Sequence, residues 1–468
     1  MLRAGTDGWR GVISRDIGFD TFRLIARGYA LYLKRMGLSE RGVAVGFDRR
    51  FLSPQYAREV CEVLSSEGIP VLLGKRYLPT PALSLYVKAK GLSGGIMITA
   101  SHNPPEYNGL KIKEGFGGPA LPETVRKIEA IIGELMEEDL PEDKPSVHYR
   151  NAESFDPHDF YIDEILHLVD TGLMKKFRMD VLVDPMHGCG ASYFRDLLQG
   201  LGWKVREIRG EENPCFGGMA PEPVERNLSE LRKRVAKGGF HLGIAFDGDG
   251  DRVAAVDSSG TFITPHYIQA LLLRHLVEHR KLKGFVVKTF STTVMMEMMG
   301  RMYGLEVIET PIGFKYISDL MLREDVLIGG EESGGIGIKG YIPERDGLFS
   351  AMLLLEALCY MGKGLGEAIK EIKEEVGEFF YERWDIPFYP HEPDEIMERV
   401  KRDERQELAG KRVKERKIFD GIKYILEDDS WLLLRISGTE PVLRIYAETR
   451  QKALAPLLLS EGRQIAGL

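Results

Sequence analysis

The stretch GIMITASHNPPEYNG, Gly95 to Gly109, runs from an apolar segment straight into a serine, a histidine and two prolines. GIMI (Gly95 to Ile98) reads as a buried strand, and the prolines forbid it from continuing. Ser101 and His102 are therefore expected on a stiff loop at a strand's end, where α/β proteins place their chemistry. Taken alone, the stretch is either a Pro-rich turn or a catalytic loop.

Outward from this loop, one pattern occurs three times. The first copy has strand GVAVGFD (Gly42 to Asp48), amphipathic segment SPQYAREVCEVLSSEG, strand IPVLLG (Ile69 to Gly74), loop LPTP and helical PALSLYVKAKG, before the strand that delivers TASHNPP. The second runs from MDVLVDPMHGCG (Met179 to Gly190) through YFRDLLQGLG, WKVREI, loop PEP (Pro221 to Pro223) and NLSELRKRVAKGG. It ends on strand HLGIAF, which delivers DGDGDR (Asp247 to Arg252). The third has GFVVKTFSTT (Gly284 to Thr293), VMMEMMGRMYG, LEVIET, loop PIG (Pro311 to Gly313) and FKYISDLMLRED. Its strand VLIGG delivers EESGG (Glu331 to Gly335). Gly68, Gly202 and Gly304 stand where the first helix of each copy closes. Strands alternating with short helices predict α/β units with largely parallel sheets. Three unlike polar loops then hold the same place in three equivalent units and can converge on one cleft.

After Gly364 the pattern changes. A charge-rich helical stretch, GEAIKEIKEEVGEF, leads into WDIPFYP and a mixed-charge helix around Asp394 to Lys411. Two strand-like stretches follow, GIKYILED and WLLLRISGTEPVLRIYAET. Alternation of apolar and charged residues predicts a half-exposed, antiparallel sheet. The expected architecture is α/β: three similar α/β domains with mixed, largely parallel sheets over residues 1–150, 151–254 and 255–368. An α+β domain over 369–468 completes it, with a hinge before it.

Composition narrows the function. The 468 residues are 43% hydrophobic and 29% charged, ordinary values for a globular protein. Lysine and arginine total 63 against 71 acids, a net charge of -8, which argues against broad nucleic-acid binding. Cys61, Cys189, Cys215 and Cys359 show no metal-binding spacing and fit a reducing compartment. No apolar run reaches membrane-spanning length, and MLRAGTDGWRG lacks the apolar core of a signal peptide. The expectation is a cytoplasmic protein with no membrane partner.

DGDGDR spaces Asp247, Asp249 and Asp251 at alternate positions. Three carboxylates so close repel unless a cation neutralises them, and all-oxygen ligation suits Mg²⁺ or Ca²⁺. An EF-hand does not fit, because Arg252 and Ser258 stand where that loop needs glycine and glutamate. A hard cation with Arg252 beside it suits phosphoryl chemistry; an acidic surface turn is the plain alternative. In RISGTEPVLRIY, the residues Arg435, Ser437, Gly438, Thr439 and Arg444 can cradle a phosphate dianion or form only a solvated strand face. Glu331 and Ser333 flank a flexible turn suited to sugar hydroxyls, or to nothing beyond a turn. Arg10 in GTDGWRG and Lys111 in NGLKI are further basic candidates.

With GTDGWRG, TASHNPPEYNGLKI, DGDGDR, GGEESGG and RISGTEP in this order, essentially the whole chain resembles the α-D-phosphohexomutase family, which includes phosphoglucomutase and phosphomannomutase. The resemblance implies a fourth domain like the TATA-binding-protein fold, with all four around a central cleft. It implies an isomerase that interconverts hexose 1-phosphate and 6-phosphate through phosphoserine at Ser101 and a hexose 1,6-bisphosphate. One Mg²⁺ would sit on Ser101, Asp247, Asp249 and Asp251, with glucose 1,6-bisphosphate as activator. His102, Lys111, Arg10 and Arg252 would surround the transferring group, with Lys111 as acid or base. Glu331, Ser333 and Lys315 would hold the sugar, and Arg435, Ser437, Gly438, Thr439 and Arg444 the idle phosphate. The partner is a sugar phosphate, on a monomer or homodimer.

The family's usual G-R-D-x-R stands here as GFDRR, with Phe47 in place of an arginine and Asp48 and Arg50 kept. The sugar loop closes on Gly-Gly after the serine, and PIGFKYI, with Phe314 and Lys315, is similar to phosphoglucomutase-type members. Glucose is favoured over mannose, with glucosamine as the alternative sugar. A serine-nucleophile sugar phosphatase and a non-catalytic sugar-phosphate sensor are the rival functions.

Overall fold

In each repeated unit the three predicted strands lie side by side in the same order. Strand Val43–Phe47 lies between Val71–Gly74 and Gly94–Ile98, all parallel, and Tyr107–Glu114 pairs antiparallel with Gly94–Ile98. Asp180–Asp184 lies likewise between Lys204–Glu207 and Leu242–Phe246, with Val253–Asp257 antiparallel beside the latter. In the third unit Phe285–Thr289 separates Val307–Thr310 from Val326–Gly330, and Ile336–Ile338 completes the sheet in reverse. The computed structural model describes residues 4–137, 153–388, 393–437 and 442–468.

The repeat places each polar loop at one topological position, between the third parallel strand and the antiparallel fourth. Every residue of Gly94–Ile98, Leu242–Phe246 and Val326–Gly330 is buried, so each loop springs from a rigid base. Burying Ile96, Met97 or Ile98 is worth about 1.5–3 kcal/mol each relative to exposure. Gly68, Gly202 and Gly304 take φ of 77°, 77° and 66°, the left-handed conformation that ends a helix without a Cβ clash.

One hydrophobic core runs through the first three units, from Leu78 and Leu83 past Phe194 and Phe246 to Leu271 and Leu354. Helix Leu365–Val376 adds Leu365, Ala368, Ile369 and Ile372 to it. The C-terminal unit has its own core around Leu432, Leu443, Ile445 and Leu458. Its sheet is fully antiparallel, in the order Phe380–Pro387, Val442–Thr449, Trp431–Ile436, Gly421–Leu426, Lys411–Phe419, Glu407–Leu408. It meets the third unit through a small cluster of Phe290, Ile312, Trp431, Leu433 and Tyr446.

One expectation needs correction here. The helix placed around Asp394 to Lys411 is Pro393–Arg402 alone, and KRVKERKIF (Lys411–Phe419) is a strand. Its side chains are largely solvated, so charge at most positions hides the period-two signal that marks a half-buried strand.

No single described helix is long and apolar enough to cross a membrane. Helices Gly347–Met361 and Leu365–Val376 pass that test jointly, but they bend by 83° and supply the core just described.

Asp346 caps Gly347–Met361, accepting from Phe349 N at 2.8 Å and from the Tyr161 and Tyr341 hydroxyls at 2.9 Å. Burial pushes its carboxyl up to about 6. The folded state thus binds this proton more tightly than the unfolded chain, where the pKa is about 3.9. The group's contribution to stability is full below that value and is lost as pH rises through 6, a fall of about 2–3 kcal/mol. Asp346→Asn keeps a capping acceptor and should remove this part of the pH dependence. Urea titrations of both proteins from pH 4 to 7 measure the difference.

Candidate active site

The serine loop is held from below by the GFDRR segment. Asp48 accepts from Thr99 Oγ1 at 2.6 Å, from Ser53 Oγ at 2.7 Å and from Arg50 N at 3.0 Å. The buried Arg50 guanidinium donates to four backbone carbonyls of the loop: Ser101 at 2.6 Å, Asn103 at 2.7 Å, Pro104 at 2.8 Å and Tyr107 at 3.1 Å. Prolines contribute carbonyls but no N–H, so a planar donor fork matches what this loop offers. Ser101 itself has φ of 53°, the left-handed region. The metal-type loop lies directly against it: a Cβ on Gly248 would fall 2.5 Å from Ser101 O, so only glycine fits there.

Ser101 Oγ donates to Asp247 Oδ2 at 2.9 Å, and His102 Nδ1 lies 3.5 Å from the same hydroxyl. Burial, with Arg252, Arg10, Arg444 and Arg383 nearby, drives the His102 pKa well below its usual value, so the ring is neutral. Strand pairing sets Lys111 opposite Met97. Its ammonium reaches Asp249 at 2.7 Å, Asp7 at 2.8 Å and Asp251 at 2.9 Å. Burial opposes its charge, but those three carboxylates outweigh it and the pKa is raised.

Asp247, Asp249 and Asp251 bring carboxylate oxygens within 4.8 Å of one another, all buried. Asp249 Oδ1 and Asp251 Oδ1 have no hydrogen-bond partner. Burial and the other two aspartates push the Asp247 carboxyl well above the usual range. Orphaned buried acceptors and mutual repulsion are what a hard divalent cation relieves, so the donor set fits Mg²⁺. Thr80, from the LPTP loop, locks this loop to the first unit. Its Oγ1 hydrogen-bonds Asp249 Oδ2, and its N donates to Asp249 O at 2.9 Å.

Arg345, in PERDG, links three units. It donates to Glu331 Oε2 at 2.9 Å, to Asp251 Oδ2 at 2.7 Å, and to Asp7 Oδ2. Burial pushes the Glu331 carboxyl up, and Arg345 opposes that rise.

A cleft of about 380 Å³ lies above these groups, lined from all four units. Arg10 and His102 come from the first, Glu222 and Arg252 from the second, Glu331, Ser333 and Arg345 from the third, and Arg383 and Arg444 from the fourth. Arg10 donates to Asn103 Oδ1 at 3.1 Å, and Arg252 Nε lies 3.9 Å from both Asp247 and Asp251. Arg383 lies 3.7 Å from Glu222 across the mouth. Ser101, Lys111 and the three aspartates lie beneath the floor, fully buried.

Not every candidate lines the cleft. Arg435 Nε donates to Asp420 Oδ1 at 2.9 Å, while Asp420 Oδ2 accepts from Ile312 N at 2.7 Å. Ser437 N donates to Val442 O at 3.0 Å, closing the hairpin. Gly438 and Thr439 lie outside the described residues. Lys315 is half-buried behind the cleft, where burial lowers its pKa and Asp7 and Glu129 oppose that. Asp7, Thr80, Glu222, Arg345 and Arg383 were not among the sequence candidates. Asp7 lies inside the quoted GTDGWRG, and Thr80 and Glu222 sit in the equivalent loops LPTP and PEP, so position in the repeat was the available signal. Nothing local marks Arg345.

Four α/β and α+β units closing one cleft over a serine, three aspartates and a ring of arginines define a phosphohexomutase, an isomerase. The chain belongs to the phosphoglucomutase/phosphomannomutase family. Family models match alpha/beta/alpha domain I over residues 1–139, domain II over 159–260, domain III over 264–376 and the C-terminal domain over 397–461. A phosphoglucomutase/phosphomannomutase of Thermococcus kodakarensis is 32% identical, covering 98% of this chain and 97% of that one. A "probable phosphoglucosamine mutase" of Pyrococcus abyssi is 30% identical, covering 98% and 97%. A solved structure from Thermus thermophilus, described as a "putative phosphomannomutase", has 35% identity and a TM-score of 0.87 over 100% of this chain and 99% of that one.

Proposed function

We propose that this phosphohexomutase interconverts the 1- and 6-phosphates of glucose, mannose or both, with Ser101 as the residue that carries the phosphoryl group. The observation that carries the reading is the Ser101 hydroxyl, 2.9 Å from Asp247, beneath a cleft whose opposite wall bears Arg444 and Arg383. Asp247, Asp249, Asp251 and the Ser101 oxygen would hold one Mg²⁺, which when bound would neutralise charge on the transferring phosphoryl oxygens.

Phosphoserine gives its phosphoryl to the free hydroxyl of the sugar phosphate: the P–Oγ bond breaks as the P–O(sugar) bond forms. The resulting bisphosphate turns end for end, and Ser101 Oγ attacks its other phosphate: P–Oγ forms as the P–O(sugar) bond at that end breaks, and the released sugar oxygen takes a proton. The neutral His102 ring is the group placed to take the serine proton at that step. Lys111, held charged by three carboxylates, acts with Arg10 and Arg252 as electrostatic support or as the acid. Glu331 and Ser333 would grip sugar hydroxyls, with Lys315 behind them. Arg444, Arg435, Ser437, Gly438 and Thr439 would hold the phosphate that is not reacting. Glucose 1,6-bisphosphate would restore phosphoserine lost to hydrolysis, and the enzyme would work in the cytoplasm.

A second reading, glucosamine 1-phosphate as substrate, is favoured by the Pyrococcus abyssi relative and by Glu332. Glu332, beside Glu331, adds a further carboxylate to the cleft, held by Ser291 Oγ at 2.8 Å. A carboxylate suits an ammonium better than a hydroxyl. Turnover of glucose, mannose and glucosamine 1-phosphates with Mg²⁺ and a trace of bisphosphate separates the two. The glucose or mannose substrate is expected to exceed glucosamine by at least about tenfold in kcat/KM, about 1.4 kcal/mol of discrimination. Phosphate release without isomerisation would instead mark a phosphatase.

A further inference from the structure

Away from the cleft, at the seam between the second and third units, two imidazoles meet. His275 lies in the last turn of helix Pro265–Glu278, and His279 follows one turn later. Their Nδ1 atoms are 3.0 Å apart. Two nitrogens that bind one ion at about 2.1 Å on adjacent octahedral positions lie about this far apart.

The far side of His275 is built in the same sense. Its Nε2 lies 3.2 Å from Glu356 Oε1, in the buried core, and that oxygen also accepts from Arg280 Nε at 3.0 Å. With its proton on Nε2, given to Glu356, His275 turns a bare Nδ1 lone pair toward His279. A carboxylate behind an imidazole orients metal-binding histidines and raises their basicity. His275 is buried and His279 half-buried, and Tyr360 on their outer side is 41% exposed. The Tyr360 ring stacks on His279 at 5.1 Å and 19°, and its hydroxyl donates to Asp170 of the second unit at 3.0 Å. Arg280 crosses the same seam, donating to Leu168 O at 2.7 Å.

We propose that His275 and His279 form a second, independent site for a divalent transition cation such as Zn²⁺ or Ni²⁺, completed by water. Imidazole nitrogens favour these ions, whereas an all-oxygen triad favours Mg²⁺, so the two sites select different metals. In the bound form the His279 ring carries its proton on Nε2 and presents Nδ1 to the cation. The cation pins the end of helix Pro265–Glu278 beside Glu356 and Tyr360 and so stiffens the seam.

Isothermal titration of the full-length protein with ZnCl₂ or NiCl₂, in saturating Mg²⁺ to occupy the aspartates, tests this. One equivalent is expected, with at least about tenfold weaker binding in His279→Ala. At a hundredfold excess over the wild-type Kd the ion should raise Tm by about 2–4 °C in the wild type and by no more than about half as much in the variant. The His279→Ala protein should keep its mutase rate in Mg²⁺ alone, which checks its fold. Co²⁺ absorption spectra should report nitrogen ligation that the variant loses. Equal binding in both proteins, or no ion beyond the aspartate triad, would leave a hydrogen-bonded histidine pair and overturn the proposal.

Discussion

Ser101→Ala should lower mutase turnover by more than about 10⁴-fold, the scale expected when a covalent nucleophile is lost. Fold stability should stay within about 1 kcal/mol, the worth of one hydrogen bond. The serine hydroxyl donates to Asp247, whose carboxyl pKa is pushed above the usual range by burial and the neighbouring aspartates. The loop itself is fixed through backbone carbonyls on Arg50, which the substitution leaves in place. Steady-state kinetics with bisphosphate activator, alongside circular dichroism, make the comparison. Mass spectrometry of the Ser101 peptide from wild-type protein should find phosphate. A rate near wild type in the variant would sink the phosphoserine mechanism.

Arg345→Met should cost about 3–5 kcal/mol of stability, since one buried cation serves Asp7, Asp251 and Glu331 together. It should also cut kcat/KM by about 10²–10³, because carboxylates on both the aspartate loop and the Glu331 loop lose their common reference point. Arg345→Lys keeps the charge but not the planar fork, and should recover only part of the loss. Denaturant titration and kinetics at several Mg²⁺ concentrations read both effects. A Met variant within threefold of wild-type kcat/KM would show that the three carboxylates hold their places without it.

What the sequence revealed and what it hid follow from distance along the chain. TASHNPP, DGDGDR and EESGG each carry their chemistry within a few consecutive residues, and each follows an apolar strand that fixes where it goes. Arg345 and Asp7 touch across 338 residues; Asp7 sits within GTDGWRG, but nothing near Arg345 in the chain marks it as its partner. The loops LPTP, PEP and PIG fall between these cases. They were visible as equivalent connectors, but their work is set by spatial partners: Thr80 on Asp249, Glu222 near Arg252 and Arg383, Ile312 on Asp420. In the fourth unit, Lys411–Phe419 was missed because a strand solvated on most of its surface carries no apolar alternation to read.

The separate core of the C-terminal unit bears on how one cleft can serve a molecule presented both ways round. The wall beneath Ser101 is anchored by Arg50 to four carbonyls and belongs to the large shared core. The facing wall, with Arg444 and Arg383, rides on a smaller body joined through Phe290, Ile312, Trp431, Leu433 and Tyr446. Mechanically this is a vice whose two jaws are built on separate cores. Under the proposed mechanism, a doubly phosphorylated sugar would meet one phosphate on each jaw, and the jaw that aims at Ser101 would keep its own support whichever end is presented.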